Sequence, residues 1–206
     1  MFPERVLLLT WEYPPRSISP ISHYCKQLAD YLSSKGVDVI VLTYDDQKPN
    51  KFYLENDNLF VFTVGNPVHG AYNPLTWSLT MAYEMEKKAL DVIREIGGID
   101  LMHAQDWLTI PAALLLKEYT ETPLFITFHS IEPVRVGGAC DPYIEAVKRL
   151  EYEGCKEAEK IFVNNLWMKY QVMYHYSVPE RKVEIAIPQR KLWMRDVLKG
   201  YEVLKR

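Results

Sequence analysis

Residues 5–44 read RVLLLTWEYPPRSISPISHYCKQLADYLSSKGVDVIVLTY, and this stretch decides the fold. Arg5 to Trp11 is a short apolar run closed by Pro14-Pro15, the pattern of a strand buried on both faces. Ile21 to Lys35 brings Ile21, Tyr24, Cys25, Leu28, Tyr31 and Leu32 back at three- and four-residue intervals. That spacing predicts a helix with one buried stripe, stopped by Gly36 as its C-cap. Val37 to Tyr44 is a second buried strand. A strand, a helix and a strand of these lengths make one crossover unit, right-handed because only that hand lets a twisted strand and its helix pack back onto the sheet.

The alternation continues to the end of the chain. Asp45 to Asn58 is polar and reads as a loop, Leu59 to Val64 as a strand, and Leu75 to Ile96 as the longest helix, ended by Gly97-Gly98. Leu101 to Ala104 is a strand, Trp107 to Tyr119 a helix, and Pro123 to Phe128 a strand. After the Gly137-Gly138 loop, Asp141 to Ala158 is helical, Lys160 to Asn164 a strand and Leu166 to Tyr176 helical. Val183 to Ile187 is the last strand and Arg190 to Lys205 the last helix. The pattern predicts a doubly wound, mainly parallel, Rossmann-like α/β sheet with helices on both faces. It divides as one domain over residues 1–188 and a closing helix over 189–206 packed on that same domain.

Composition fits this reading and removes other classes. The 206 residues are 48% hydrophobic and 13% aromatic, enough apolar area to offset chain entropy. With 24 basic and 27 acidic side chains the net charge is −3, which leaves no electrostatic footprint for nucleic acid or an acidic membrane. The cysteines Cys25, Cys140 and Cys155 form no CxxC pair, so buried or free thiols in a reducing compartment are expected, with no disulfide framework and no zinc site. No apolar run approaches the roughly 18 residues of a membrane span. The expectation is a cytoplasmic protein without a metal or cofactor.

In a sheet of this kind ligands sit beyond the carboxyl ends of the strands. Two histidines stand there, His103 in LMHAQDW and His129 in FITFHSIEP. An imidazole titrates near neutral pH and can orient a hydroxyl or take its proton; each could equally cap its strand. Asp106 is either a ligand contact or an ordinary helix N-cap. Trp107 either stacks on a sugar face or packs in the core. Glu12 is a rim carboxylate or a solvated loop acid, and Gly137-Gly138 either lets backbone approach a ligand or makes a turn. There is no Walker loop, HExxH, GxSxG or GxGxxG, and EYPPRSISPIS after the first strand has no glycine to cradle a phosphate.

Taken in order, LLLTWEYPPR, KGVDVIVLT, HAQDW, FITFHSIE, EYEGCKEAEKIFVNN and VPERKVEIAIP resemble the amino-terminal domain of GT-B retaining glycosyltransferases, with glycogen and starch synthases and their archaeal relatives the best likeness. The resemblance implies a hexosyltransferase fold half that binds a glucan or other saccharide acceptor. It implies that His129 lies beside the transferred sugar, that His103 and Asp106 of an HxxDW motif line the acceptor side, and that Glu12 is the acid of the first-strand motif. Two departures shape the expectation. The family's Lys-x-Gly-Gly turn is replaced by RSISP, with Arg16 its only cation. After Pro188 the chain passes directly to QRKLWMRDVLKGYEVLKR, which resembles the family's closing helix, with no nucleotide-sugar domain between. The isolated chain is therefore expected to be inactive. It would need a donor-domain polypeptide, or a homo-oligomer, with nucleotide sugar bound only in the complete enzyme. The alternative is a non-catalytic carbohydrate-binding or protein-interaction module derived from the family.

Overall fold

Strand β1 (Arg5–Thr10) is the pivot of the sheet, paired in parallel with β2 (Asp38–Tyr44) on one side and β5 (Leu101–Gln105) on the other. The computed structural model describes residues 3–68, 73–188 and 193–202. Outward from β1 on the first side lie β2, β4 (Leu59–Val64) and β3 (Phe52–Asn56). On the second side lie β5, β6 (Leu124–Phe128), β7 (Lys160–Val163) and β8 (Val183–Ile185). All the pairings are parallel except β3 with β4. The direction of winding reverses between β1 and β5, which makes their carboxyl ends the switch-point crevice where open α/β sheets take ligands.

The period-2 alternation of buried strands sorts side chains onto two faces. Leu7, Leu9, Ile40, Leu42, Met102 and Ala104 enter the core beneath α2 (Pro74–Ile96), α3 (Ile110–Thr120), α5 (Pro142–Glu157) and α6 (Leu166–Tyr176). Their neighbours Val6, Leu8, Val39, Val41, Phe125 and Phe162 enter a second core beneath α1 (Pro20–Ser33) and α7 (Trp193–Tyr201). Both faces are covered, as the unbroken apolar strands require. No described helix is long and apolar enough to cross a membrane.

Four local expectations are corrected. Residues 45–58 are not all loop, because Phe52–Asn56 forms an antiparallel edge strand joined to β4 through Asp57-Asn58. With one paired edge and with Phe52 and Leu54 exposed, that strand carries no buried run to reveal it. Helix α1 is capped by Ser34, and Gly36, two residues on, supplies the left-handed φ of +80° that turns the chain into β2. The helix expected from Trp107 opens with a 3-10 turn over Trp107–Thr109 before α3 begins. A short helix, α4 (Glu132–Arg135), stands between β6 and the glycine turn.

Helix α7 places Trp193, Val197 and Tyr201 in the second core. The parts of the expected closing helix over 189–192 and 203–206 lie outside the described residues. The approach of α7 to the sheet depends on Gly200, where an added Cβ would lie 2.5 Å from Cζ of Phe162. The Phe162 ring is itself enclosed by His103, Phe125 and Tyr201, at centroid distances of 5.5, 6.0 and 6.3 Å. Gly200→Ala is expected to cost about 1–3 kcal/mol by overpacking. The check is urea denaturation followed by tryptophan fluorescence; an unchanged midpoint would mean that α7 is not docked this closely.

Candidate functional site

The carboxyl ends of β1, β5 and β6 bring together polar side chains that all stand on the α1/α7 face. His103 and Gln105 on β5 alternate with the apolar residues of the opposite core, as do Thr127 on β6 and His129 just beyond it. Register pairs His103 with Phe125 and Gln105 with Thr127, so the four form a polar patch on two neighbouring strands. Tyr24 of α1 covers it, its ring edge-to-face with His129 at 4.6 Å and stacked on Trp193 of α7 at 4.2 Å.

Asp106 is the centre of this arrangement. Its backbone has φ +57° and ψ 173°, a region almost reserved for glycine. Two bonds hold it there: its N–H donates to Thr127 O at 2.9 Å, and its Oδ1 accepts from the His129 N–H at 2.8 Å. It makes no side-chain cap bond to the following turn, so the N-cap alternative does not apply. Such strain persists where the surroundings over-determine it, and it concentrates at functional sites. Burial pushes the Asp106 carboxyl upward, opposed by His129 and Arg135. Burial also lowers His129, against the pull of Asp106 and Glu12, so its imidazole is neutral near pH 7. Only half-buried, His129 retains access for a ligand while its Nε2 lies 3.2 Å from Gln105 Oε1.

The remaining expected site residues lie in other settings. His103 is fully buried, with Nδ1 bonded to the Tyr201 hydroxyl at 2.6 Å and Nε2 to Thr127 Oγ1 at 2.8 Å. Both ring nitrogens are engaged inside the protein. Glu12 is also fully buried and is neither a solvated acid nor a rim contact. Its Oε2 accepts from the N–H groups of Ile18 at 2.6 Å and Ser19 at 2.9 Å, and Oε1 accepts from the Ser19 hydroxyl. An internal carboxylate thus occupies the amino end of α1, the place where a helix would otherwise receive a phosphate. Trp107 packs in the core beneath α2 and α3.

Arg16 is half-buried and already engaged: Nη1 donates to Trp11 O at 3.1 Å and Nε to Asp46 at 3.3 Å, while the guanidinium lies over Tyr44 at 4.8 Å. With Pro15, Ile18, Asp45 and Lys48 it lines a cleft of about 480 Å³ at the β1 and β2 ends. Gly137 and Gly138, at φ +58° and +91°, make the turn after α4, with no atom within 4 Å of a built Cβ. Their positive φ values are what the turn requires of glycine. Gln105, Tyr24 and Thr127 were not among the expected residues. The two i, i+2 pairs His103/Gln105 and Thr127/His129 were the available signal, since strand alternation puts each pair on one face. Among the described residues no cluster of three or more His, Cys, Asp or Glu side chains could hold a metal ion.

The family model described as Glycosyltransferase Family 4 matches residues 21–186. The chain belongs to that family. An uncharacterized glycosyltransferase of Methanocaldococcus jannaschii is 30% identical over 198 residues, covering 96% of this chain and 49% of the relative. Glycogen synthase of Mycobacterium tuberculosis is 26% identical over 161 residues, covering 70% of this chain and 39% of that one. The family-4 domain therefore spans about half or less of the curated relatives it matches. Among solved structures, sucrose-phosphate synthase of Thermosynechococcus elongatus superposes with a TM-score of 0.72 at 14% identity, over 89% of this chain and 48% of that one. A second, shorter chain of that synthase gives 0.69 at 15% identity over 98% and 97%. These neighbours confirm the Rossmann-like half of the GT-B glycosyltransferase fold.

Proposed function

We propose that this family-4 domain is the acceptor-side half of a glycogen-synthase-like glucosyltransferase, and that a donor-binding half supplied outside these 206 residues completes the cleft. The observation that carries this reading is the strained Asp106 locked to His129 at the switch point, beside an α1 amino end already filled by Glu12. A neutral imidazole and a neighbouring carboxyl suit hydroxyl groups of a sugar. A leaving diphosphate instead needs cations, because stabilising developing charge is usually the largest catalytic term. Here Arg16 is tied to Asp46, and Arg135 to Glu132 and Glu151. In this reading the diphosphate contacts come from the other half, and the domain contributes His129 and Asp106 to the transferred sugar and its acceptor.

Isothermal titration calorimetry with maltooligosaccharides is expected to give weak, saturable heat, and UDP-glucose or ADP-glucose none. Radiolabel transfer is expected only after mixing with a donor half. Tight nucleotide-sugar binding without oligosaccharide heat would overturn the acceptor-side assignment. One observation favours a second reading as an interaction module: α6 exposes Leu166, Trp167, Tyr170 and Tyr174 along its surface. That reading expects no transfer under any mixture.

A further inference from the structure

Gln105 is an expensive residue for its position. It is the last residue of β5 and fully buried, flanked in the sheet by Thr127 of β6 and by the end of β1. Its Oε1 meets His129 Nε2 at 3.2 Å, while its Nε2 has no hydrogen-bond partner among the described residues. A buried donor left unpaired loses its hydration without recovering it, and an apolar side chain here would avoid that loss. The one polar contact the amide makes, to His129, is what the residue supplies.

The other neighbours of His129 do not settle its ring. Asp106 Oδ1 fixes the backbone N–H, and Tyr24 packs edge-to-face at 4.6 Å. Neither is a hydrogen-bond partner of a ring nitrogen. With burial lowering its pKa the imidazole is neutral near pH 7, and a neutral imidazole has two tautomers of different use. With the proton on Nε2, Nδ1 carries the lone pair and can accept from a hydroxyl; with the proton on Nδ1 it cannot.

We propose that Gln105 is a positioning residue that accepts the Nε2–H of His129 and so holds the ring in the tautomer whose Nδ1 can accept a substrate hydroxyl. The use of that lone pair in transfer rests on the glycosyltransferase reading above; the tautomer itself does not. The groups around the ring are consistent with the assignment. Asp106 and Glu12 are the charged groups that act on it, His103 is the titratable neighbour coupled to it, and Tyr24 packs against it edge-to-face.

The test is 15N NMR of the imidazole nitrogens at pH 7 in the full chain. The chain has 5 histidines, and His129 is assigned by the resonances lost in His129→Asn. The wild-type protein is expected to show a protonated Nε2 and an unprotonated Nδ1. Gln105→Leu should move both resonances toward the tautomer-averaged position. Gln105→Glu should restore the protonated Nε2 and shift the His129 titration midpoint upward, since a carboxylate accepts the same bond and adds charge. A protonated Nδ1 in the wild type, or His129 resonances and midpoint unmoved in both variants, would overturn the proposal. If Gln105→Leu does not fold, Gln105→Glu alone decides by its midpoint. No sugar is present in this measurement, so failure of the transferase reading leaves it standing, and its own failure leaves the calorimetric result untouched.

Discussion

Glu151→Ala is expected to destabilise the domain by about 3–5 kcal/mol, the cost of breaking a buried charge pair by removing one partner. Glu151 stands on α5 with no exposed surface. Its carboxylate accepts from Arg135 Nη2 at 2.6 Å, from the N–H of Glu132 at 2.8 Å and from the Tyr176 hydroxyl. Burial pushes its pKa upward, and Arg135 is the main group pulling it back. One side chain therefore ties the start of α4, the middle of α5 and the end of α6. Truncation leaves an amide, a phenol and a guanidinium short of a partner, although Arg135 keeps Glu132 at 2.8 Å. The effect reaches the site, because only Ser130 and Ile131 separate His129 from Glu132. Urea denaturation should show a lowered midpoint with the slope unchanged. Glu151→Gln, which still accepts one bond, should lose less. A midpoint shift worth less than about 1 kcal/mol for the alanine variant would mean the network stabilises no more than an exposed pair does.

The sheet was legible because its strands are buried on both faces: runs such as VIVLTY and PLFITF have no competing reading once Gly and Pro bound them. What failed was each element whose partners are distant in sequence or absent. Strand β3 has one neighbour and an exposed side, and α4 is one turn defined by Glu151 from another helix. The site was half legible for a related reason. His129 and Asp106 announce themselves as polar residues at strand ends, and the structure joins them through 2.8 Å. His103 looks the same in sequence, yet α7 covers it with Tyr201 from 98 residues away. Glu12 likewise reads as a loop acid because its partners, the N–H groups of Ile18 and Ser19, are backbone and leave no mark on composition. Gln105 was invisible because a glutamine between a histidine and an aspartate signals nothing until the pleat shows that it shares a face with both histidines.

His103 makes the second large expectation, a dependence of stability on pH. Buried between the hydroxyls of Tyr201 and Thr127, it is lowered from 6.5 to about 3, first by burial and then by the neighbouring His129. Both hydroxyls can accept as well as donate, so protonation would leave the geometry intact and cost the desolvation of a cation. The sign follows from proton binding. Between pH 6.5 and 3 the unfolded chain holds a proton on this histidine that the folded protein does not, so its contribution is complete above pH 6.5 and is lost as pH falls through that window. The loss amounts to ~5 kcal/mol at the acid end, taking about 1.4 kcal/mol for each pH unit. His129, also lowered, adds in the same direction, whereas Asp106 and Glu151, both raised by burial, relax as they protonate and oppose it. Comparing wild type with His103→Gln removes the contributions of Asp106 and Glu151 and leaves, beside His103 itself, only its coupling to His129, because the amide keeps a donor and an acceptor and does not titrate. Denaturation at a series of pH values should show the two proteins' difference changing with a slope near one proton through the window, and flat above it. Parallel pH profiles would mean that His103 is as free to protonate in the folded protein as in the unfolded chain, and that the Tyr201 helix does not seal it.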